Sequence, residues 1–215
     1  LSAKGGEIIY SDPKSPASRI TERLNKFGDT TLSDTILGVA FNYACEGFFQ
    51  VNIPVYEKAL SDMKAWINCN EKMPTLDLYS GVGTIGLTIG GDDVTLVEIN
   101  EHAVAEMQRN ITKLNRPSAK AILAPSEKSL EYITGEQIVI VDPPRAGLHA
   151  DVTNRLLETE PPRIIYLSCN PVTQARDVSL LQEKYEIVHH QGYNFFPRTP
   201  HIEHLVVLDK KAREY

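Results

Sequence analysis

Leu76-Asp77-Leu78-Tyr79-Ser80-Gly81-Val82-Gly83-Thr84-Ile85-Gly86 runs from an apolar strand into a glycine-rich turn and on into a helix. Gly81 and Gly83 let a backbone turn tightly and come close to a ligand without a Cβ in the way. Gly81–Gly86 satisfies the GxGxxG dinucleotide fingerprint. Short glycine patterns also arise by chance, and a purely structural strand–turn–helix is the bland alternative. The context favours a ligand site, because the next strand ends in Glu98, where a carboxylate can accept hydrogen bonds from a ribose. NAD and S-adenosylmethionine both carry that diol. The pair of features therefore reads as a nucleoside site and leaves the nucleoside open.

Outward from this stretch the chain alternates. Strands are expected at 75–79, 94–98, 119–123, 137–141 and 163–168, with helical segments between them. The segment from Glu101 to Leu114 places Ala103, Val104, Met107, Ile111 and Leu114 on one helical face. Such alternation implies a parallel, doubly wound sheet. Residues 185–190 and 203–208 break the pattern as two strands joined without a helix, which predicts an antiparallel C-terminal strand. Upstream, Pro54 opens a helix whose Val55, Ala59, Leu60, Met63, Trp66 and Ile67 form a packing stripe. Residues 36–41 and 48–51 read as two strands about the turn-prone Cys45-Glu46-Gly47, and residues 1–35 as an irregular lead-in. The expected fold is a Rossmann-like α/β doubly wound sheet, mostly parallel with an antiparallel C-terminal strand, and a short β-containing appendage. The appendage takes 1–46 and the catalytic domain 47–215.

The totals are those of an ordinary globular chain: 215 residues, 42% hydrophobic and 23% charged. Nothing resembles a membrane span or a signal peptide. A start at Leu1 rather than Met predicts a fragment of a longer protein. Cys45, Cys69 and Cys169 are too few and scattered for a disulfide framework or a cysteine-rich metal cluster, so a reducing, cytoplasmic setting is expected. The net charge of −6 argues against a broad nonspecific nucleic-acid surface but leaves room for a local basic rim of Arg145, Arg163, Arg176 and Arg198.

Three further stretches carry chemistry. Val141-Asp142-Pro143-Pro144-Arg145 ends a strand in a rigid acidic lip, since two prolines enforce extended backbone. A planar nucleobase needs such a fixed edge with a polar partner; hydride transfer does not. Arg163-Ile164-Ile165-Tyr166-Leu167 ends in Ser168-Cys169-Asn170-Pro171, delivering one thiol to a bend at the carboxyl end of a strand, where open α/β sheets keep their ligands. A thiolate there is a nucleophile; the bland reading is a buried small hydrophobe. Phe196-Pro197 through His201-Ile202-Glu203-His204 leads into the last strand. Glu203 stands at a pocket mouth or is a solvated strand-start charge. Its flanking histidines lack the spacing of a metal site. His189 and His190 point to opposite faces of a strand.

Together these residues resemble the RNA 5-methyluridine methyltransferases, which methylate carbon 5 of uracil in transfer or ribosomal RNA. The matching motifs are Phe48-Phe49-Gln50-Val51-Asn52, Asp77–Gly83, Val97-Glu98, Asp142–Arg145, Ser168–Pro171 with Ala175-Arg176-Asp177, and Phe196-Pro197 through Glu203. The resemblance implies S-adenosylmethionine held by Gln50, Tyr79, Thr84, Glu98 and Asp142, along the backbone of Gly81 and Gly83. It implies Cys169 as nucleophile and Glu203 as base. Phe48 lies against a flipped uracil, with Asp142, Pro143 and Arg145 orienting it. Thr84 replaces the family's usual Asn, and Asn194 its usual Asp. No iron–sulfur cluster, N-terminal RNA-binding barrel, membrane contact or obligate protein partner is expected; the partner is transfer or ribosomal RNA. Thiolate addition to carbon 6 activates carbon 5 toward a methyl sulfonium, and a base then removes the carbon 5 proton. Two rivals remain: a non-catalytic RNA- or protein-binding fragment, and a nicotinamide-dependent oxidoreductase resting on GxGxxG alone.

Overall fold

A computed structural model of the chain describes residues 4–11, 21–44, 49–67 and 73–212. Chain order gives β1 (Gly5–Tyr10), β2 (Glu22–Gly28), β3 (Leu32–Ile36), β4 (Val39–Tyr43), α1 (Ile53–Trp66), β5 (Thr75–Leu78), α2 (Thr84–Ile89), β6 (Val94–Glu98), α3 (Glu101–Lys113), β7 (Lys120–Leu123), β8 (Ile138–Val141), α4 (Ala150–Thr159), β9 (Arg163–Ser168), α5 (Pro171–Leu181), β10 (Tyr185–Tyr193) and β11 (Glu203–Lys210). The last seven strands form one sheet in the order β10-β11-β9-β8-β5-β6-β7. β5 pairs in parallel with β6 and β8, β6 with β7, and β8 with β9. β11 runs against both β9 and β10. Strand order reverses at β5, so the carboxyl ends of β5, β6 and β8 open the crevice where doubly wound sheets take ligands.

The sheet is apolar on both faces. α1, α2 and α3 cover one face with Tyr56, Leu60, Met63, Leu87 and Met107, against Leu96, Ile140 and Leu205 of the strands. α4 and α5 cover the other with Val152, Leu156, Val178 and Leu181, against Leu76, Val139 and Tyr166. Each such fully buried aliphatic side chain contributes about 1.5–3 kcal/mol relative to exposure. That double covering is why β8 and β9 read as continuous apolar runs rather than as alternations.

The N-terminal part departs from expectation. β1 pairs with β2, so the lead-in is a hairpin rather than irregular chain. Residues 36–41 are not one strand: Leu37 and Gly38, both at positive φ (48° and 80°), make a two-residue turn between β3 and β4. A turn with φ > 0 at both central residues matches the natural twist of a hairpin, and Gly38 adopts it freely. The turn of this hairpin falls at 37–38; residues 45–47, where the sequence suggested a turn, lie outside the described residues. Phe49–Asn52 form no strand. Ile36 and Phe41 are nevertheless fully buried in the α1–α3 layer. Asn110 of α3, also buried, accepts from Asn42 N (2.9 Å) and donates to Asn42 O (3.0 Å) and Val82 O (3.2 Å), tying β4 to the glycine loop.

Arg163 opens β9 at the amino end of the sheet, away from the crevice. Its guanidinium clamps Asp209 (2.5 and 2.6 Å) and donates to Trp66 O (2.5 Å). It belongs to the sheet's far edge and is no part of a basic rim.

Candidate active site

The first wall of the crevice is backbone. β5 ends in Tyr79, a non-glycine residue held at φ 63°, followed by Gly81 at 55° and Gly83 at 85°. Such strain clusters at ligand sites and persists only where surroundings over-determine it. Here they do: Ser80 N and Oγ both donate to Val97 O (3.1 and 3.0 Å), and Gly83 N donates to Ser80 O (2.8 Å). The Tyr79 hydroxyl is hydrogen bonded to the His149 backbone and the Ser126 side chain. Glu98 accepts from Gly81 N (2.9 Å) and Asn100 N (2.8 Å), which fixes its carboxylate at the end of β6 with lone pairs to spare. Asp77, fully buried, accepts from Gly86 N (2.8 Å). Burial pushes its carboxyl up to about 7, the Gly86 N–H opposing.

The second wall is built of side chains from three strands. Asp142, Pro143 and Pro144 follow β8, Cys169 follows β9, and Glu203 opens β11. Asn170 caps α5, accepting from Val172 N (3.2 Å), so Cys169 precedes the positive end of that helix, which favours a thiolate. Asn170 Nδ2 (2.9 Å) and Thr173 Oγ1 (3.1 Å) both donate to Arg145 O, fastening the Pro-Pro lip to the thiol turn. Behind them Asp177, 1% exposed, accepts from Leu148 N and Tyr166 Oη (2.8 Å each) and from Arg176 Nε (2.9 Å) and Nη2 (2.8 Å). Gly147, at φ 83°, passes so close that a Cβ would lie 2.5 Å from Asp177 Oδ2.

Gln50, Tyr79, Gly81, Glu98, Asp142, Pro143, Cys169 and Glu203 thus line one cleft of about 520 Å³. Thr84 lines a small recess of about 60 Å³ that opens beside it and shares Gln50 and Asp142. Gly83 faces away from the cleft: a Cβ there would meet Leu87 and Met107, so its role is in the turn. Arg145 stands close enough to the Cys169 thiol for its charge to favour the thiolate, and lies 3.3 Å from His201 Nδ1. Phe48 lies outside the described residues. The cleft also includes Pro144 of the Pro-Pro lip, and Ile99, Pro125, Ser126 and Glu127, which motif reading passed over. The signal for the Pro125–Glu127 stretch was topological, since it follows β7 at the carboxyl edge of the sheet.

The electrostatics are those of a dry acidic pocket. Burial, then Glu203 and Asp77, hold the Asp142 carboxyl well above the usual carboxylate range. Burial pushes Glu203 up to about 7, with Arg145 pulling the other way. Burial, Glu203 and Asp142 raise the Cys169 thiol; the Arg145 charge pulls the other way. Gln50, 8% exposed, leaves Oε1 without a partner. A cleft with crowded carboxyls and an orphaned carbonyl oxygen asks for a cationic ligand rich in donors. S-adenosylmethionine fits: it carries a sulfonium, an ammonium, a ribose diol and an adenine amine. Among the described residues no three His, Cys, Asp or Glu side chains group to hold a metal ion. His204 is bonded to Gln174 instead.

Comparison with known proteins agrees with this geometry. The family described as tRNA (Uracil-5-)-methyltransferase matches residues 29–211. An RNA methyltransferase of Enterococcus faecalis is 36% identical over 98% of this chain and 46% of its own length. One from Nanoarchaeum equitans is 38% identical over 90% of this chain and 43% of its own. The crystal structure of Pyrococcus abyssi tRNA (uracil-54, C5)-methyltransferase with S-adenosyl-L-homocysteine superposes with a TM-score of 0.83. It is 30% identical, covering 97% of this chain and 51% of that one. The crystal structure of M. jannaschii tRNA m1G37 methyltransferase, 14% identical, is similar in fold alone, with a TM-score of 0.64 over 89% of this chain and 58% of that one. The chain spans about half the length of the relatives it matches. A family match that spans most of the chain places it: the chain belongs to the tRNA (uracil-5-)-methyltransferase family.

Proposed function

We propose that this chain is the catalytic part of an enzyme that methylates carbon 5 of a uridine in transfer or ribosomal RNA through a covalent Cys169 adduct. The observation that carries the reading is the convergence of Cys169, Glu203 and Asp142, from three separate strands, on one cleft with the glycine loop.

S-adenosylmethionine, when bound, supplies a methyl group on a positively charged sulfur. Glu98 would hold its ribose diol, Gln50 Oε1 and Asp142 its donors, and exposed Ile99, beside Glu98, would offer an apolar face to the adenine. This chain's residues do the rest. Cys169, deprotonated with the help of Arg145 and the α5 N-terminus, adds through Sγ to carbon 6 of a flipped uracil. The ring electrons move onto O4 as an enolate, and carbon 5 becomes nucleophilic enough to take the methyl group. Glu203, as carboxylate, then removes the remaining carbon 5 proton. The C5–C6 double bond re-forms, the Sγ–C6 bond breaks, and the thiolate leaves. A carboxyl near 7 suits a base that must work at neutral pH. Asp142, whose carboxyl is pushed up by burial and by Glu203 and Asp77, would orient the base, and Pro143 fixes the edge it works from. Reaching the cleft requires the target base to be unpaired or flipped.

The test is intact-protein mass after incubation with S-adenosylmethionine and RNA containing 5-fluorouracil. Fluorine replaces the proton that Glu203 must remove, so the adduct cannot resolve. A covalent RNA mass mapping to Cys169 supports the reading. No adduct, with S-adenosylhomocysteine still bound, would favour a non-catalytic RNA- or protein-binding domain.

A further inference from the structure

Gln174 lies in α5, one turn beyond the Asn170 cap, and is 1% exposed. Its side chain spans the two strands that carry Cys169 and Glu203. Nε2 donates to Tyr166 O of β9 (2.9 Å) and to His204 O of β11 (3.0 Å). Oε1 lies 2.6 Å from His204 Nδ1. Two carbonyl partners fix which end of the amide is nitrogen, because a flipped amide would set oxygen against oxygen. Oε1 can only accept, so Nδ1 must carry the proton. His204 is therefore the Nδ1–H tautomer, neutral at working pH, since burial and nearby His190 both lower its pKa. His190 stacks obliquely on it with ring centroids 5.7 Å apart. The next residue back is Glu203, which pairs with Tyr193 but has no ladder partner on β9; that pairing begins at His204–Ser168. Beyond it the β9–β11 ladder ends, and Gln174 closes it by holding both the carbonyl and the ring of His204.

We propose that Gln174 and His204 are positioning residues that fix the Glu203 carboxylate relative to the Cys169 sulfur, so that proton removal, and with it release of the methylated RNA, depends on their three hydrogen bonds. The inference rests on Cys169 and Glu203 acting as proposed above. Neither Gln174 nor His204 touches the cleft. The effect of losing them should fall on the second half of the reaction, because Cys169 is separately held through Asn170 and the Arg145 carbonyl.

Gln174→Leu keeps the volume and removes all three bonds. With 5-fluorouracil RNA, where Glu203 has no proton to remove, its adduct should form within about threefold of the wild-type rate. With uridine RNA, turnover should fall by about tenfold or more, and the covalent enzyme–RNA species should accumulate, as a misplaced base predicts. His204→Leu should act likewise. His204→Asn should restore most turnover, because the asparagine Nδ2 sits the same number of bonds from Cα as Nδ1. Nitrogen-15 NMR supplies a readout independent of turnover: the His204 ring should show the Nδ1–H tautomer in the wild type and lose it in Gln174→Leu. Equal losses of adduct formation and turnover would mean a general structural role and overturn the proposal. So would wild-type turnover in Gln174→Leu, or an Nε2–H ring in the wild type. A wild-type protein that forms no 5-fluorouracil adduct would instead bring down the underlying catalytic reading, a failure the NMR result does not share.

Discussion

The two walls of the cleft are made of different material. The glycine-loop wall is one contiguous stretch, Tyr79–Gly86, whose shape is set by backbone torsions and by short hydrogen bonds to the neighbouring strand. The opposite wall is assembled from Asp142, Cys169 and Glu203, which lie up to 61 residues apart in the chain. It is held by buried side chains, Asp177 on one side and Gln174 on the other. A wall of backbone, with the Glu98 carboxylate fixed against it, keeps its shape through torsions and backbone hydrogen bonds. A wall of side chains can tune proton affinities, and it does: Cys169, Asp142 and Glu203 are all displaced upward by shared burial. Binding and chemistry should therefore be separable by mutation.

The sharpest break is Cys169→Ala. Turnover on RNA should drop by about 10⁴-fold or more, as expected on loss of a nucleophile, while S-adenosylhomocysteine binding by calorimetry stays at the wild-type value. If affinity falls in parallel, the walls are not independent. Glu203→Gln should lower turnover by about 10²–10⁴-fold and leave a trapped enzyme–RNA adduct on ordinary uridine RNA, visible on denaturing gels. The sign of the pH dependence follows from the same residue. Only the carboxylate accepts a proton, so wild-type release should rise with pH through about 7 and level off above it. A rate that falls over that interval would remove Glu203 from the role.

Asp177→Asn probes the scaffold of the reacting wall. An asparagine oxygen can keep Leu148 N and Tyr166 Oη, but its amide nitrogen then faces the Arg176 guanidinium, donor against donor. The cost should be about 2–4 kcal/mol, read as a lower melting temperature, with cofactor affinity at saturation little changed. Glu98→Ala touches the other wall. It removes two backbone hydrogen bonds and the proposed ribose acceptor. S-adenosylhomocysteine should bind more weakly by about 1.5–3 kcal/mol, with adduct formation at saturating cofactor intact.

Legibility follows the same division. β8 and β9 were readable because burial on both faces makes each a short apolar run, and the other strands because they alternate with helices that keep their own period. Glu98 and the glycine turn were readable for a local reason, since neighbours in sequence do the work. Cys169 and Glu203 emerged from motifs at strand ends, each ambiguous alone. The β3–β4 turn was missed because Leu37 is no turn residue by composition; only its hairpin partner makes positive φ there worthwhile. Arg163 was misplaced because a strand-end arginine looks the same at either end of a sheet. Gln174 was invisible, as a glutamine in an apolar helix face says nothing until two carbonyls and a histidine converge on it.

By itself, then, the sequence determined the alternation, the doubly wound sheet and the glycine turn, and it named the candidate groups for the proposed chemistry. These depend on periodicity and on torsional preferences carried by a few consecutive residues. Only the tertiary structure decided which of those groups share a cleft, which tautomer His204 holds, and that Glu203 meets neutral pH with its proton affinity raised. Distance, burial and partner geometry are sums over residues far apart in the chain, and no local pattern records them.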